Sequence, residues 1–274
     1  MVNQTQEPNN PIDFVIITAL EEEREAVLSK LPFAKKLPPS NEDVRVYYYS
    51  QIPVHLSDGS FDTYDIIILS PLDKGRVEAS TATSDAIRRW QPRFVLLVGI
   101  AGGINDAGIS LGDILISNQI VDYSLQKIQE DGAKVRYVVH QAAPRLLNAA
   151  QNFYLDKCLE LLEIQPPQEI TPKRFVGAIA SGDKIIAFGN VLKKYQNDWP
   201  KLIGVEMEAA GVAAASFQSA NPPGFFMVRG VSDLADSDKD SSDTKKWRSF
   251  ACDVAAAYTI ALLQSGPIPF EKKN

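Results

Sequence analysis

The sequence predicts an α/β protein, because short apolar, β-branched runs alternate with helical stretches along most of its 274 residues. Residues 13–19, 65–69 and 94–98 have the length and composition of buried strands. Residues 77–90, between the second and third of these strands, have helical spacing with small residues on one side. This alternating order is typical of a sheet that is covered by helices.

The other elements are placed by the same two patterns. Further strands are predicted at 44–56 (as two strands or one bent hairpin), 112–116, 120–125, 175–180, 202–205 and 224–231, and helices at 20–31, 144–162, 209–216 and 246–263. The last helix is expected to bury a single face, formed by Trp247, Phe250, Val254, Ala257, Tyr258 and Ala261. Because no repeat or composition break appears, we predict one domain over 12–264, a disordered lead-in at 1–11 and a polar tail at 265–274.

Composition excludes several classes of function. A net charge of −6 and a pI of about 5.1 argue against nucleic-acid or anionic-membrane partners. No apolar run approaches the roughly 20 residues that span a bilayer, and the N-terminus lacks a secretory signal pattern, so a cytoplasmic location is predicted. Cys158 and Cys252 are expected to be buried free thiols. Only two histidines occur, without metal-ligand neighbours, and we expect neither a metal nor a cofactor.

Two carboxylates, Glu206 and Glu208, lie between a predicted strand and the following alanine-rich helix. In open α/β sheets, ligands bind at the carboxyl ends of the strands. The helix N-terminus favours an ionised Glu208, and a carboxylate accepts hydrogen bonds from two neighbouring sugar hydroxyls. A purely helix-capping role is the alternative interpretation of Glu208.

Other strands end in comparable groups. Three glutamates at 21–23 open the helix after the first strand, where acidic residues complement the helix dipole, and one of them is positioned to face a ligand. Gly102 lies in a glycine-rich turn that matches neither the dinucleotide nor the P-loop pattern, and Asp183 and Asp233 follow later strands. Acidic groups collected at one sheet edge indicate a polar small-molecule site, and paired carboxylates suit cleavage of a glycosidic bond.

Several segments, in one order, together resemble the purine nucleoside phosphorylase and nucleosidase superfamily, and within it the methylthioadenosine/S-adenosylhomocysteine nucleosidases. They are IITALEEERE (16–25), VGIAGGI (98–104), LGDILI (111–116), SGD (181–183), VEMEAAG (205–211) and VRGVSD (228–233). The resemblance implies a three-layer α/β/α fold with a central mixed, partly barrel-like sheet. It also implies hydrolysis of the N-glycosidic bond of a purine (adenine) nucleoside or 5′-nucleotide, and a homo-oligomer, either dimer or hexamer.

The resemblance further implies a role for each matching residue. Glu23 would activate the attacking water, Glu208 would bind the ribose 2′- and 3′-hydroxyls, and Asp233 would protonate the purine at N7. The remaining substrate contacts would come from Ala101, Gly102, Ile185, Ile186, Glu206, Met207 and Ser232.

The sequence departs from the family pattern at functional positions. Leu97 and Glu23 stand where related hexameric phosphorylases carry arginines, which favours water over phosphate as the nucleophile. Ile185 replaces an aromatic residue that stacks on adenine. Lys74 replaces an apolar residue near the 5′ group, so Lys74 and the nearby Arg76 are expected either to bind a 5′-phosphate or to point into water. A methylthioadenosine/S-adenosylhomocysteine nucleosidase, a phosphate-dependent phosphorylase and a non-catalytic nucleotide sensor stay open as alternatives.

Overall fold

The computed structural model describes residues 11–40, 43–55, 59–129, 132–183, 195–234 and 242–270. The strands are β1 (Phe14–Ile17), β2 (Lys35–Lys36), β3 (Tyr48–His55), β4 (Phe61–Leu69), β5 (Phe94–Gly103), β6 (Ile114–Asp122), β7 (Gln126–Gln129), β8 (Gly132–Val135), β9 (Val138–Gln141), β10 (Arg174–Ser181), β11 (Leu202–Glu206) and β12 (Gly224–Asp233). The helices are α1 (Glu21–Ser29), α2 (Arg76–Trp90), α3 (Pro144–Asn152), α4 (Asp156–Leu159), α5 (Ala209–Phe217) and α6 (Ser242–Gln264), with a 3₁₀ turn at Asn105–Ala107. Among the described residues, no helix is long and apolar enough to span a bilayer.

Ten of these strands form one mixed sheet, and five of them, β11, β10, β6, β12 and β5, close into a ring. Neighbouring strands are hydrogen-bonded in the order β11-β10-β6-β12-β5-β1-β4-β3-β2, and β9 pairs with β6 as an additional strand. The ring closes because the end of β5 also pairs with β11, where Gly102 lies opposite Val205 and Gly103 opposite Gly204. Strands β7 and β8 form a separate hairpin. The predicted mixed, barrel-like sheet is therefore confirmed.

Helices cover both faces of the sheet, as the three-layer prediction requires. Successive residues of a strand point to opposite faces, and Phe14 and Ile16 of β1 accordingly pack in the core with α1, α3, α4 and α6. Val15 and Ile17 pack in a second core with α2 and α5. All four side chains are fully buried, which explains why this strand appears in the sequence as a continuous apolar run.

The last helix is more deeply buried than the sequence suggested. Every residue from 250 to 263 in α6 is buried, so the expected single apolar face is wrong. The helix contacts β12 and β5 on one side and α1 and α4 on the others, and its alanines permit close approach on all sides. Gly230 of β12 contributes as well, because a Cβ there would overlap with the backbone of Ala251.

Several predicted boundaries differ from the structure. The region 44–56 contributes one strand, β3, which forms an antiparallel hairpin with β4, and the two strands expected between 112 and 125 are one strand, β6. After α6, Ile268 is 2% exposed and Phe270 stacks on Tyr64. The described part of the predicted polar tail therefore packs on the domain. Residues 1–10 of the predicted lead-in lie outside the described residues.

Candidate active site

A cavity of about 180 Å³ lies at the carboxyl ends of β1, β5, β11 and β12. Its walls contain nearly all the predicted site residues that the structure describes. The lining residues are Ala19, Leu20, Glu23, Lys74, Ile100, Ala101, Gly102, Val205, Glu206, Met207, Glu208, Ser232, Asp233 and Arg248. The predicted residues Ile185 and Ile186 lie outside the described residues.

Of the three glutamates at 21–23, only Glu23 turns into the cavity. Its side chain is 2% exposed, whereas Glu21 pairs with Arg24 in solvent and Glu22 pairs with Arg248. Glu23 Oε2 accepts hydrogen bonds from the backbone N–H groups of residues 19 and 20, at 2.7 and 2.9 Å. A Glu at the third helical position often reaches back in this way, so the helix start fixes the direction of the carboxylate.

The other oxygen of Glu23 faces the sheet. Oε1 accepts a hydrogen bond from the backbone N–H of Ile100 at 2.8 Å and lies 3.7 Å from Arg229 Nη1. Burial raises the pKa of Glu23, and the Arg229 charge and these hydrogen bonds oppose that rise. Gly99 makes the arrangement possible, because a Cβ there would overlap with both Glu23 Oε1 and Arg229 Nη1. Gly99 therefore makes room for a protein ion pair.

Arg229, for which the sequence alone predicted no role, is fully buried behind the cavity wall. Its Nη2 donates to Glu206 Oε2 at 2.6 Å and to Glu208 Oε2 at 3.3 Å. A buried charge of this kind is retained only when it is paired, and the three carboxylates of Glu23, Glu206 and Glu208 provide that pairing. The sequence feature that could have indicated this buried ion-pair cluster is a single arginine among the apolar residues of β12.

Glu206 and Glu208 have different surroundings. Glu206 Oε2 accepts hydrogen bonds from the backbone N–H groups of Glu208 and Ala209, at 3.0 and 2.9 Å. Glu206 therefore holds the start of α5 in place in addition to pairing with Arg229. Glu208 is the N-cap residue of α5, but its side chain makes no capping hydrogen bond there. The purely capping alternative for Glu208 is therefore wrong.

Glu208 instead reaches across to the loop before α2. Its Oε1 accepts the backbone N–H of Gly75 at 3.2 Å. Gly75 has a φ of +100°, which L side chains rarely adopt, so glycine is needed to present that N–H. Burial and the neighbouring Glu206 charge raise the pKa of Glu208 to about 7, against the opposing effect of Arg229. Glu208 therefore changes charge within the physiological pH range.

Ser232 and Asp233 are placed by an irregularity in β12. The pairing of β12 with β5 shifts between Val231 and Asp233, so that Asp233 lies opposite Gly102. Ser232 Oγ lies 3.0 Å from Asp233 Oδ2 and 3.4 Å from the carbonyl oxygen of Ala101. This geometry supports Ser232 as the hydrogen-bond partner of the Asp233 carboxylate.

Lys74 lines the cavity, but Arg76 does not. Arg76 lies at the start of α2, where Nη1 is 3.2 Å from Asp122 Oδ2 and Nε is 3.6 Å from Asp183 Oδ2. The backbone N–H of Arg76 also donates to Asp183 Oδ1 at 3.1 Å. Arg76 thus joins two segments of the protein, and the expectation that it binds a phosphate is not supported.

The fold and this cavity define a class: mixed α/β proteins with an acidic cavity at the strand ends of a closed sheet. The chain belongs to the phosphorylase superfamily, whose family model matches residues 13–264. The relationship that the sequence motifs predicted is therefore confirmed.

Several similar proteins are nucleosidases. A 5′-methylthioadenosine/S-adenosylhomocysteine nucleosidase from Staphylococcus epidermidis is 31% identical over 176 residues, 64% of this chain and 72% of the relative. The Staphylococcus aureus (strain MRSA252) nucleosidase of the same name is 28% identical over 229 residues, 83% of this chain and 89% of the relative. The crystal structure of the Colwellia psychrerythraea nucleosidase in complex with adenine shares the fold, with a TM-score of 0.71 and 24% identity over 93% of this chain and 95% of that one.

Proposed function

We propose that this protein hydrolyses the N-glycosidic bond of a purine nucleoside and releases the free base. The observation that carries the proposal is the meeting of Glu23, Glu208 and Asp233 in one cavity. The nucleosidase activity of the relatives is consistent with this role.

The three carboxylates divide the reaction between them. Glu208 accepts hydrogen bonds from the ribose 2′- and 3′-hydroxyls and orients the sugar above Met207. The base lies against Ala101 and Gly102, next to Asp233. As the C1′–N9 bond breaks, its electron pair moves into the purine, and Asp233 donates a proton to N7. Water attacks C1′ and gives up a proton to Glu23.

The cavity favours an oxocarbenium-like transition state, because positive charge develops on the sugar beside carboxylates that are already in place. The same carboxylates would repel a free phosphate nucleophile. Leu97, where the related phosphorylases carry an arginine, is fully buried and contributes no charge. These features support water as the nucleophile.

The direct test is to incubate the purified protein with adenosine or methylthioadenosine, with and without inorganic phosphate, and to separate free base by chromatography. Release of adenine and free sugar without phosphate is the expected result. Release only with phosphate would mean a phosphorylase, and binding without release would mean a nucleotide sensor. The cytoplasmic location and the homo-oligomeric state stay predictions.

Glu208→Gln should lower kcat/KM for adenosine by roughly ten- to a hundredfold, since a hydrogen bond to a charged group is worth about 1.5–3 kcal/mol. The amide has one accepting oxygen where the ionised carboxylate has two. For 2′-deoxyadenosine the loss should be several-fold smaller, because one of the two hydroxyls is missing. Because Glu208 has a pKa of about 7, the wild-type preference for adenosine should also grow between pH 6 and 8, as the carboxyl loses its proton.

The matched control for this substitution is Glu78→Gln in the first turn of α2, away from the cavity. It should leave the turnover of both substrates within twofold of wild type. Equal losses on adenosine and 2′-deoxyadenosine in Glu208→Gln would show that this residue does not bind the sugar hydroxyls.

A further inference from the structure

Two cationic side chains, Lys74 and Arg248, line a cavity whose other charged groups are carboxylates. Lys74 comes from the loop between β4 and α2, and Arg248 from the first half of α6. Lys74 is exposed, and among the described residues its ammonium forms no ion pair. Arg248 pairs through Nε with Glu22, and 37% of its side chain stays exposed. The guanidinium has further N–H donors besides Nε.

The position of Lys74 relative to the sugar site follows from its neighbour. Gly75 donates its backbone N–H to Glu208 Oε1 at 3.2 Å, so the backbone after Lys74 contacts the carboxylate assigned to the ribose hydroxyls, and Lys74 itself lines the same cavity. The base is assigned to the region of Asp233 and Gly102. A group on the 5′ carbon belongs to the sugar and therefore extends on the ribose side of the cavity, where Lys74 lies.

Arg76, the first residue of α2, differs from Lys74 in its ion pairs. Arg76, two positions later, is already paired with Asp122 and Asp183. Lys74 has no such structural partner among the described residues. An ammonium beside an apolar 5′ substituent would lose hydration without gaining a hydrogen bond. A phosphate would supply charged acceptors for both cations, and pairs of this kind are stronger than neutral hydrogen bonds.

We propose that the preferred substrate is a purine nucleoside 5′-phosphate, and that Lys74, assisted by Arg248, binds its phosphate. This inference rests on the proposed function, because the roles of Glu208 and Asp233 fix the orientation of the nucleoside. The two cations offset the repulsion between the phosphate and the cavity carboxylates, so phosphate recognition depends strongly on Lys74.

The kinetic test compares adenosine monophosphate with adenosine as substrates of the wild type, Lys74→Ala and the control Lys36→Ala. Lys36 is exposed on β2, away from the cavity. Wild type and Lys36→Ala should show at least a tenfold higher kcat/KM for the nucleotide. Lys74→Ala should reduce that preference at least tenfold, mainly through KM. A wild-type preference for adenosine or methylthioadenosine, or equal losses on nucleotide and nucleoside, would overturn the proposal.

Calorimetric titration of the same three proteins, each also carrying Glu23→Gln to prevent turnover, separates this inference from the proposed function. The Kd of adenosine monophosphate should rise at least tenfold in Lys74→Ala, whether or not any base is released. Absence of base release from every substrate would refute the hydrolase alone. The Kd values of inorganic phosphate and of adenosine are measured in the same way. If Lys74→Ala weakens the binding of inorganic phosphate while the nucleotide binds the wild type no more tightly than adenosine does, Lys74 binds free phosphate and the inference fails.

Discussion

Asp233→Asn should abolish base release, with kcat lowered by roughly 10²–10⁴-fold, the usual contribution of a positioned general acid. A departing purine anion is a poor leaving group, and an amide has no transferable proton of suitable acidity. The shape of the side chain is kept, and the amide oxygen still accepts the Ser232 hydroxyl that lies 3.0 Å from Asp233 Oδ2. The loss should therefore appear in turnover and not in folding, and chromatography of released base measures it.

Asp62→Asn is the matched control, because Asp62 lies in β4 and does not line the cavity. Its turnover should equal that of the wild type, and thermal unfolding of both variants should stay within a few degrees of wild type. Near-normal base release by Asp233→Asn would remove this residue from the mechanism.

Glu23→Gln should reduce hydrolysis by a comparable factor while adenine still binds. The amide cannot take the proton of the attacking water. The oxygen of the new side chain can still accept the N–H groups of Ala19 and Leu20, which now pair with Glu23 Oε2. Its NH₂ group would then face the N–H of Ile100, so some loss of stability accompanies the loss of activity.

The pH dependence provides a second measurement on Glu23. The base must be ionised to act, and burial raises the pKa of this carboxyl. Wild-type kcat/KM should therefore fall as the pH is lowered through that raised pKa. The residual activity of Glu23→Gln should keep only the part of this acidic limb that protonation of Glu208 causes. Glu21→Gln, whose side chain is 82% exposed, is the control. If Glu21→Gln lowers kcat/KM and Glu23→Gln does not, Glu23 is not the residue that activates the water.

The strands and helices were predictable because their causes are local. A continuous apolar run rich in β-branched residues, such as 66–69, marks a strand buried on both faces, and acidic residues at 21–23 mark a helix start. The residues after strand ends could be gathered into one site because carboxyl ends of parallel strands share an edge. Residue-level motifs then distinguished Glu23 from its two neighbours.

Other features depend on contacts that no local pattern records. The closure of the ring joins β5 to β11, which are about a hundred positions apart in sequence, through two residue pairs at strand ends. The burial of residues 250–263 of α6 on all sides follows from its contacts with β12, β5, α1 and α4, whereas the sequence indicated only one apolar face. Arg229 was visible as a charge in an apolar strand, but its three carboxylate partners come from α1, β11 and the start of α5.

Closure of the sheet through β5 and β11 has a consequence for how activity is gained during folding. The cavity is assembled from residues 19 to 248, and its wall at Gly102 and Val205 exists only after distant strands have paired. Pairing of residues that are distant in sequence costs chain entropy before it gains any stabilising contact. Folding is therefore slow where many such contacts are needed. In refolding from denaturant, far-ultraviolet circular dichroism should therefore recover before adenine binding. A fragment ending before β11 should contain helices and strands but no functional cavity.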